Sequence, residues 1–322
     1  MPISMDIAHS TPSTGEGRGQ NEDKPLQALS LSVILLCALS FNFMTIVVIL
    51  RTRSLRRNPH TLLMLNLAVA DLGVALASMT FSMASIFDEG RFLESHRTAC
   101  KVNGFFSTWF TFTNLPLIFS IAFDRFLIIV CSPRHAPPKR LRIGLLIAMS
   151  WTMGFMVALT AATGWLSEFR YNVHTKHCSP TETAAPASKD DPSVDSVEAD
   201  YHGNKEDNVP APLVTANRKS AWRTRRRRHL QAHSRVARLG AVLVFMSIVC
   251  WTPYLLIHAN YIRVSEDHWF GVFTMWLAYC NAVLDPLVYS CMNRRVRAEL
   301  WKLARRVRCC GLRRSVTFNV RK

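Results

Sequence analysis

Apolar residues along the chain are gathered into long blocks, and charged residues fall in the gaps between them. A bilayer core about 30 Å thick needs roughly 20 apolar residues of helix. Six blocks meet that length, at 26–50, 62–87, 102–131, 143–165, 239–262 and 269–291. They predict an all-α fold, a polytopic membrane helix bundle with six recognisable transmembrane helices spread over 26–291. Residues 1–25 are polar and lack a basic-then-apolar leader, so they read as an extracellular tail and the first span as the targeting element. Beyond the last block, 293–308 places Val296, Leu300, Trp301 and Leu303 on or near one helical face. That is the pattern of a membrane-surface helix, which opens a basic cytoplasmic tail over 293–322.

The gaps give the orientation, because short cytoplasmic loops concentrate Lys and Arg. Residues 51–61 hold Arg51, Arg53, Arg56 and Arg57 with no acid. Residues 132–142 hold Arg134, Lys139, Arg140 and Arg142, again with no acid. The N-terminus is therefore expected outside and the C-terminal tail inside, which requires an odd number of crossings. The long gap 166–238 is the place of conflict. Its first part, to residue 210, carries nine acids and four bases. Its second part, from residue 211, carries nine bases and no acid. One part reads as extracellular and the other as cytoplasmic, with no apolar stretch between them. The gap is expected to be a disordered, acidic-then-basic loop where a further span should lie.

Composition narrows the class. Lys and Arg number 39 against 22 acids, a net charge of +17, yet 49% of residues are hydrophobic. A mean hydropathy of +0.10 excludes a disordered chain and argues against a histone-like basic protein. Nine Cys in 322 residues are too few for a disulfide-dense scaffold.

Polar groups inside the spans carry the sharper signal, since a charged residue at mid-membrane costs roughly 2.5–3.5 kcal/mol. Asp71 lies in Leu-Ala-Val-Ala-Asp, and Asp124-Arg125-Phe126 ends the third span. Cys250-Trp251-Thr252-Pro253 and Asp285-Pro286-Leu287-Val288-Tyr289 lie in the last two. Asn42, Cys100 at 25 residues before Arg125, and Trp151 complete the set. In this order and spacing the chain resembles the rhodopsin-like (class A) G-protein-coupled receptors, over about 27–180 and 222–310. Asp-Arg-Phe stands for the family's Asp-Arg-Tyr, and Asp-Pro for its Asn-Pro. The fifth helix of the family has no counterpart here.

The resemblance implies roles. Cys100 and Cys178 would form the bridge between span three and the second outer loop, worth roughly 4–5 kcal/mol in the chain-entropy model. Asp124, Arg125 and Phe126 would serve G-protein coupling, with Arg125 paired to Asp124 at rest. His233 lies where the family sometimes has an acid that locks this Arg, so a loose resting state is expected. Trp251, Pro253, Pro286 and Tyr289 would form the switch, the prolines by kinking their helices. Asp71, Asn42, Asn114, Asn281 and Asp285 would converge on a polar pocket that resembles the family's sodium site. Oxygen ligands suit a hard cation, and two carboxylates in one low-dielectric pocket are not both ionised without one. A water-filled hydrogen-bond network is the equal alternative, and no other cofactor is implied. Ser107, Tyr254, His258, Trp276 and Tyr279 would line the outer ligand pocket, with ordinary packing as the competing account of each. Amine receptors of the family carry Asp at the position of Ser107, so a biogenic amine is disfavoured and the ligand is otherwise open. Cys309 and Cys310 are candidate palmitoylation sites.

Other signals are bland. His229 and His233 have the spacing of a metal pair but sit in an arginine run. Arg225–Arg228 reads as an inner-face anchor on membrane lipid, not a nucleic-acid contact. No serine-hydrolase motif, repeated His box or inverted repeat supports an enzyme or a six-span transporter. The expected partners are a heterotrimeric G protein, an extracellular ligand and lipid, at the plasma membrane. A form that truly lacks the fifth helix could instead be a non-signalling isoform or a product missing an exon, retained inside the cell.

Overall fold

The computed structural model describes residues 16–130, 139–164, 167–172, 175–182, 238–257, 268–303 and 305. Helix α1 spans Glu16–Arg51, α2 Arg53–Arg56 and α3 Pro59–Val74. A π-helical turn, Ala75–Met79, joins α3 to α4, Thr80–Asp88. Helices α5, Arg91–Ser95, and α6, Arg97–Val130, lead to α7, Lys139–Thr163. Strands β1, Ser167–Asn172, and β2, His177–Glu182, pair antiparallel. Helix α8 spans Arg238–Ile257, α9 His268–Met292, and α10 residues 294–303. Among the described residues six helices are long and apolar enough to cross a membrane, each within a few residues of a predicted block. The fold is thus a membrane helix bundle, α3 through α4 counting as one span.

Two boundaries differ from expectation. Helix α1 begins at Glu16, ten residues inside the predicted tail. Pro25 sits within α1, where it removes one backbone donor but leaves the axis continuous. The second correction is the hairpin at the start of the 166–238 gap, expected to be loop throughout. Its strands alternate: Phe169 is buried, while Arg170 is exposed. Residues 183–237, where a vacancy in place of a fifth helix was expected, lie outside the described residues. So do His258, Cys309 and Cys310.

The core forms two stacked apolar clusters. The inner one joins Ile49, Leu63, Leu67, Leu117, Ile118, Ile143, Leu243 and Tyr289 from six elements. The outer one centres on Leu31, Met79, Val272, Trp276 and Tyr279. Small residues set the closest approaches. A Cβ on Gly154 of α7 would fall 2.7 Å from the Trp109 carbonyl of α6. On Gly240 of α8 it would meet Ala122 Cα of α6 at 3.0 Å. Large side chains such as Phe119, Leu145 and Phe245 face outward, as lipid contact requires.

Candidate functional site

The polar groups fall into three layers along the bundle axis. At the outer end, Cys100 at the head of α6 is bonded to Cys178 of β2, S–S 2.03 Å. The hairpin lies over the bundle. Phe169 packs where a side chain on Gly104 would stand, and Tyr171 covers Gly90, which adopts φ 79° in the turn after α4. The Cys178 amide donates to Asn103 Oδ1 at 3.0 Å. Thr175 and His177 are buried. Ser82 Oγ donates to the Thr175 carbonyl at 2.9 Å and lies 3.0 Å from Tyr279 Oη, which lies 3.1 Å from His177 Nδ1. The second outer loop is thereby hydrogen-bonded to α4 and α9.

Charges on the rim fasten the same end. Lys24 of α1 donates to Glu89 at 2.6 Å, and Arg91 donates to its other oxygen at 2.9 Å. These bonds hold the Glu89 carboxyl at about 2. Arg97 and Arg170 likewise hold Glu168 below the usual carboxylate range. Burial pushes the Tyr171 phenol up to about 12. Burial also lowers Lys176, with the nearby Lys24 adding to it.

The residues expected to line a ligand pocket are separated in role. Ser107 donates to the Ala77 carbonyl at 3.1 Å, and Asn103 donates to the same oxygen at 2.6 Å. The π turn at Ala77 breaks the regular α-helical pairing, and α6 supplies these donors. Trp276 Nε1 donates to Ser30 Oγ at 3.0 Å, tying α9 to α1. Tyr279 is fully buried and engaged with the hairpin. Tyr254 packs edge-on against Trp251, ring centroids 5.9 Å apart.

The middle layer is the polar pocket. Asn114 donates to Asp71, and Asn281 Nδ2 donates to Asp285 Oδ2 at 3.0 Å. Ser247 of α8 donates to Asn281 Oδ1 at 3.0 Å. Asn42 donates to the Ala282 carbonyl at 2.8 Å. Asp71 and Asp285 are close enough for their charges to interact. Asn42 Oδ1, Asp71 Oδ2, Asn114 Oδ1 and Asp285 Oδ1 are buried without a hydrogen-bond partner. The structure thus brings all five predicted residues into one layer and leaves four acceptor oxygens there. Ser247 belongs to the same network. A single Ser within an apolar span carries no sequence signal of its own, so its part was missed.

At the inner end, Asp124 is wholly buried. Its Oδ1 accepts from Arg142 Nε at 3.0 Å and Nη2 at 2.7 Å. Its Oδ2 lies 2.7 Å from His60 Nδ1, an ion-pair distance but off hydrogen-bond alignment. Asp124 therefore joins the starts of α3 and α7 to α6. Arg125 is described in its backbone alone, so its expected pairing with Asp124 lies outside the description. Phe126 is exposed. Tyr289 is buried beside Thr61 and Asn293. Pro286 lies within α9 without ending it. His60 and Arg142 were not legible as partners of Asp124, because each looked like ordinary flanking charge.

A bundle of long apolar helices, bridged outside by a disulfide and carrying buried carboxylates at mid-depth, defines a multi-pass membrane receptor class. The family described as "7 transmembrane receptor (rhodopsin family)" matches residues 41–194 and 212–289. The chain belongs to that family and is a G-protein-coupled receptor. Among its relatives, rhodopsin of Cottocomephorus grewingkii is 29% identical, over 82% of this chain and 93% of its own length. The 5-hydroxytryptamine receptor 5B of Mus musculus is 23% identical, over 91% of this chain and 92% of its own. The crystal structure of squid rhodopsin superposes with a TM-score of 0.64 at 16% identity, covering 90% of this chain and 87% of that one, a likeness of fold.

Proposed function

We propose that this receptor acts at the plasma membrane, takes an extracellular ligand at the hairpin-covered end and passes the signal through α8 and α9 to a G protein at Arg125. The observation that carries this reading is the polar line along α9. Tyr279 meets the outer hairpin, Asn281 and Asp285 meet α8 and the mid-depth pocket, and Tyr289 lies at the inner end beside α3. A helix engaged at both ends can relay a ligand contact if the bundle has two packings. Trp251, Pro253 and Pro286 are the hinge residues of that relay, and Asp124 and Phe126 flank its output. The ligand would replace some of the hydrogen bonds among Ser82, His177 and Tyr279, near Ser107, Tyr254 and Trp276. A biogenic amine fits poorly. Ser107 offers no carboxylate, and its hydroxyl is engaged with Ala77.

The four unpartnered oxygens support a sodium ion in the mid-depth pocket, held by Asp71, Asn42, Asn114 and Asp285, with Asn281 orienting Asp285. Exchanging sodium chloride for choline chloride should then lower the melting temperature, and Asp71→Asn should abolish the difference. Palmitoylation of Cys309 and Cys310 would anchor the tail after α10 and is read by acyl-exchange labelling.

The test of the main reading is a heterotrimer-dissociation assay in cells, with the full chain counted at the surface by biotinylation. Surface receptor should dissociate at least one class of heterotrimer, and Arg125→Ala should lose the response at equal surface level. A chain held inside the cell and silent toward every heterotrimer would favour the non-signalling isoform.

A further inference from the structure

The hairpin turn over the outer end of the bundle contains a lysine with no part in the signalling relay. Lys176 lies between two buried residues, Thr175 and His177. The turn holds it from both sides. The Lys176 amide donates to the Asn172 carbonyl at 2.8 Å, and Thr175 Oγ1 donates to the His177 carbonyl at 3.1 Å. The Thr175 carbonyl accepts from Ser82 of α4 at 2.9 Å. The backbone of Lys176 is left-handed, φ 57°. Among the described residues one other non-glycine residue shares that conformation, Glu89 at φ 59° in the turn after α4. Such a backbone disfavours a Cβ and persists only where its surroundings hold it. The two turns meet at one place. The Lys176 ammonium is close enough to Glu89, and to Lys24 of α1, for their charges to interact.

The charges there do not balance. Glu89 Oε1 accepts from Lys24 at 2.6 Å and Oε2 from Arg91 at 2.9 Å. Both oxygens are engaged, and three cations share one carboxylate. The neighbouring acid, Asp88, is turned to the backbone, where it accepts from the amides of Gly90 at 2.9 Å and Phe92 at 3.2 Å. His177, next in the strand, is engaged with Tyr279 and offers no negative charge. Among the described residues the Lys176 ammonium makes no hydrogen bond or ion pair. Burial strips water from it and Lys24 repels it, so its pKa is lowered, with Glu89 opposing. A desolvated lysine beside another cation is the arrangement that makes an amine nucleophilic.

The electrophile that suits this place is small and gains negative charge on reaction. Carbon dioxide meets both conditions. The amine lone pair attacks the carbon and a C–N bond forms. One C=O electron pair moves onto oxygen, and an N–H proton leaves to water. The carbamate product converts the side chain from a cation to an anion. Lys24 and Arg91 then face two anions, and the imbalance is removed. An aldehyde would give a protonated imine and keep the surplus charge, and an acyl donor would give a neutral amide.

We propose that Lys176 is a carbamate-forming site for dissolved carbon dioxide, the carbamate pairing with Lys24 and bracing the hairpin turn against α1. The modification belongs to the outer face and does not depend on whether the inner face couples to a heterotrimer.

The test equilibrates the full chain in nanodiscs with carbon-13 bicarbonate and carbon dioxide at fixed, near-neutral pH. The carbamate is trapped as its ethyl ester with triethyloxonium and located by peptide mass spectrometry. Wild type should carry the label at Lys176 and not at the exposed Lys101 or Lys302. Lys24→Gln removes the repelling cation and the counter-ion together, so it should cut the label by at least about threefold. Glu89→Gln removes the carboxylate that favours the ammonium and releases Lys24, so it should raise the label by a similar factor. These opposite signs separate a built site from general lysine reactivity, which neither variant would move. Lys176→Arg keeps the charge and should lose the label, and with it any rise in melting temperature caused by carbon dioxide at constant pH. An unlabelled Lys176, equal labelling of Lys101, or labelling unmoved by both Lys24→Gln and Glu89→Gln would overturn the proposal.

Discussion

At the outer end of the bundle, Cys178 is covalently bonded to Cys100, and its neighbours His177 and Thr175 hydrogen-bond to α4 and α9. At the inner end no covalent link joins the described helices. There a buried carboxylate, Asp124, is clamped by Arg142 beside His60, and Arg53, Arg56, Arg57 and Arg140 line a cleft. The difference follows from the two environments. The outer face is oxidising and can hold a disulfide, while the inner face keeps thiols reduced and is rich in Lys and Arg. A neutral hydrogen-bonded lid suits a surface where a ligand must compete for the bonds. A charged clamp can open and close again without breaking a covalent bond.

The contrast can be broken at either end. Cys178→Ser should have the largest effect, a loss of roughly 4–5 kcal/mol for a loop of this span, seen as a collapse of surface expression and melting temperature. Arg142→Ala should follow, at roughly 3–5 kcal/mol, because it strips a cation from a wholly buried carboxylate. Arg142→Met together with Asp124→Leu should recover most of that loss, which a purely local packing defect would not. Tyr279→Phe should cost roughly 0.5–1.5 kcal/mol, one hydrogen-bonding phenol lost while Ser82 and His177 keep other partners, read as a lower melting temperature of the purified receptor. The smallest effect belongs to the rim. The Glu89 carboxyl is held at about 2, below its ordinary 4.5, by Lys24 and Arg91. Its contribution is present above pH 4.5 and is lost as pH falls through about 2. Both partners are partly solvated, so Glu89→Gln should change the melting temperature only slightly at pH 7 and still less at pH 2.

Much of this contrast was legible before the structure. The spans follow from apolar length alone, because lipid leaves a helix no other way to satisfy its backbone. The Cys100–Cys178 bridge and the grouping of Asn42, Asp71, Asn114, Asn281 and Asp285 followed from family spacing. The hairpin was not legible, although Glu168-Phe169-Arg170-Tyr171 alternates with the period of a strand. Six residues are a weak signal, and the pairing is stabilised by the bundle beneath it. Ser107 was expected at the ligand pocket or in ordinary packing. Its hydroxyl also meets the Ala77 carbonyl of the π turn, and an extra residue in a helical turn cannot be seen in composition. His60 and Arg142 looked like loop charge because their partner lies on another helix. The crossing expected to be missing falls in 183–237, outside the described residues, so the parity of the chain rests on its charges.

The central claim is that the inner end of this receptor engages a G protein through Arg125. Purified full chain in nanodiscs, mixed with heterotrimers of each main class, should accelerate nucleotide exchange without added ligand, because His233 offers no acid to lock Arg125. Arg125→Ala should return the rate to that of the heterotrimer alone while leaving the melting temperature unchanged. Exchange that no heterotrimer accelerates, or that survives Arg125→Ala intact, would contradict the account.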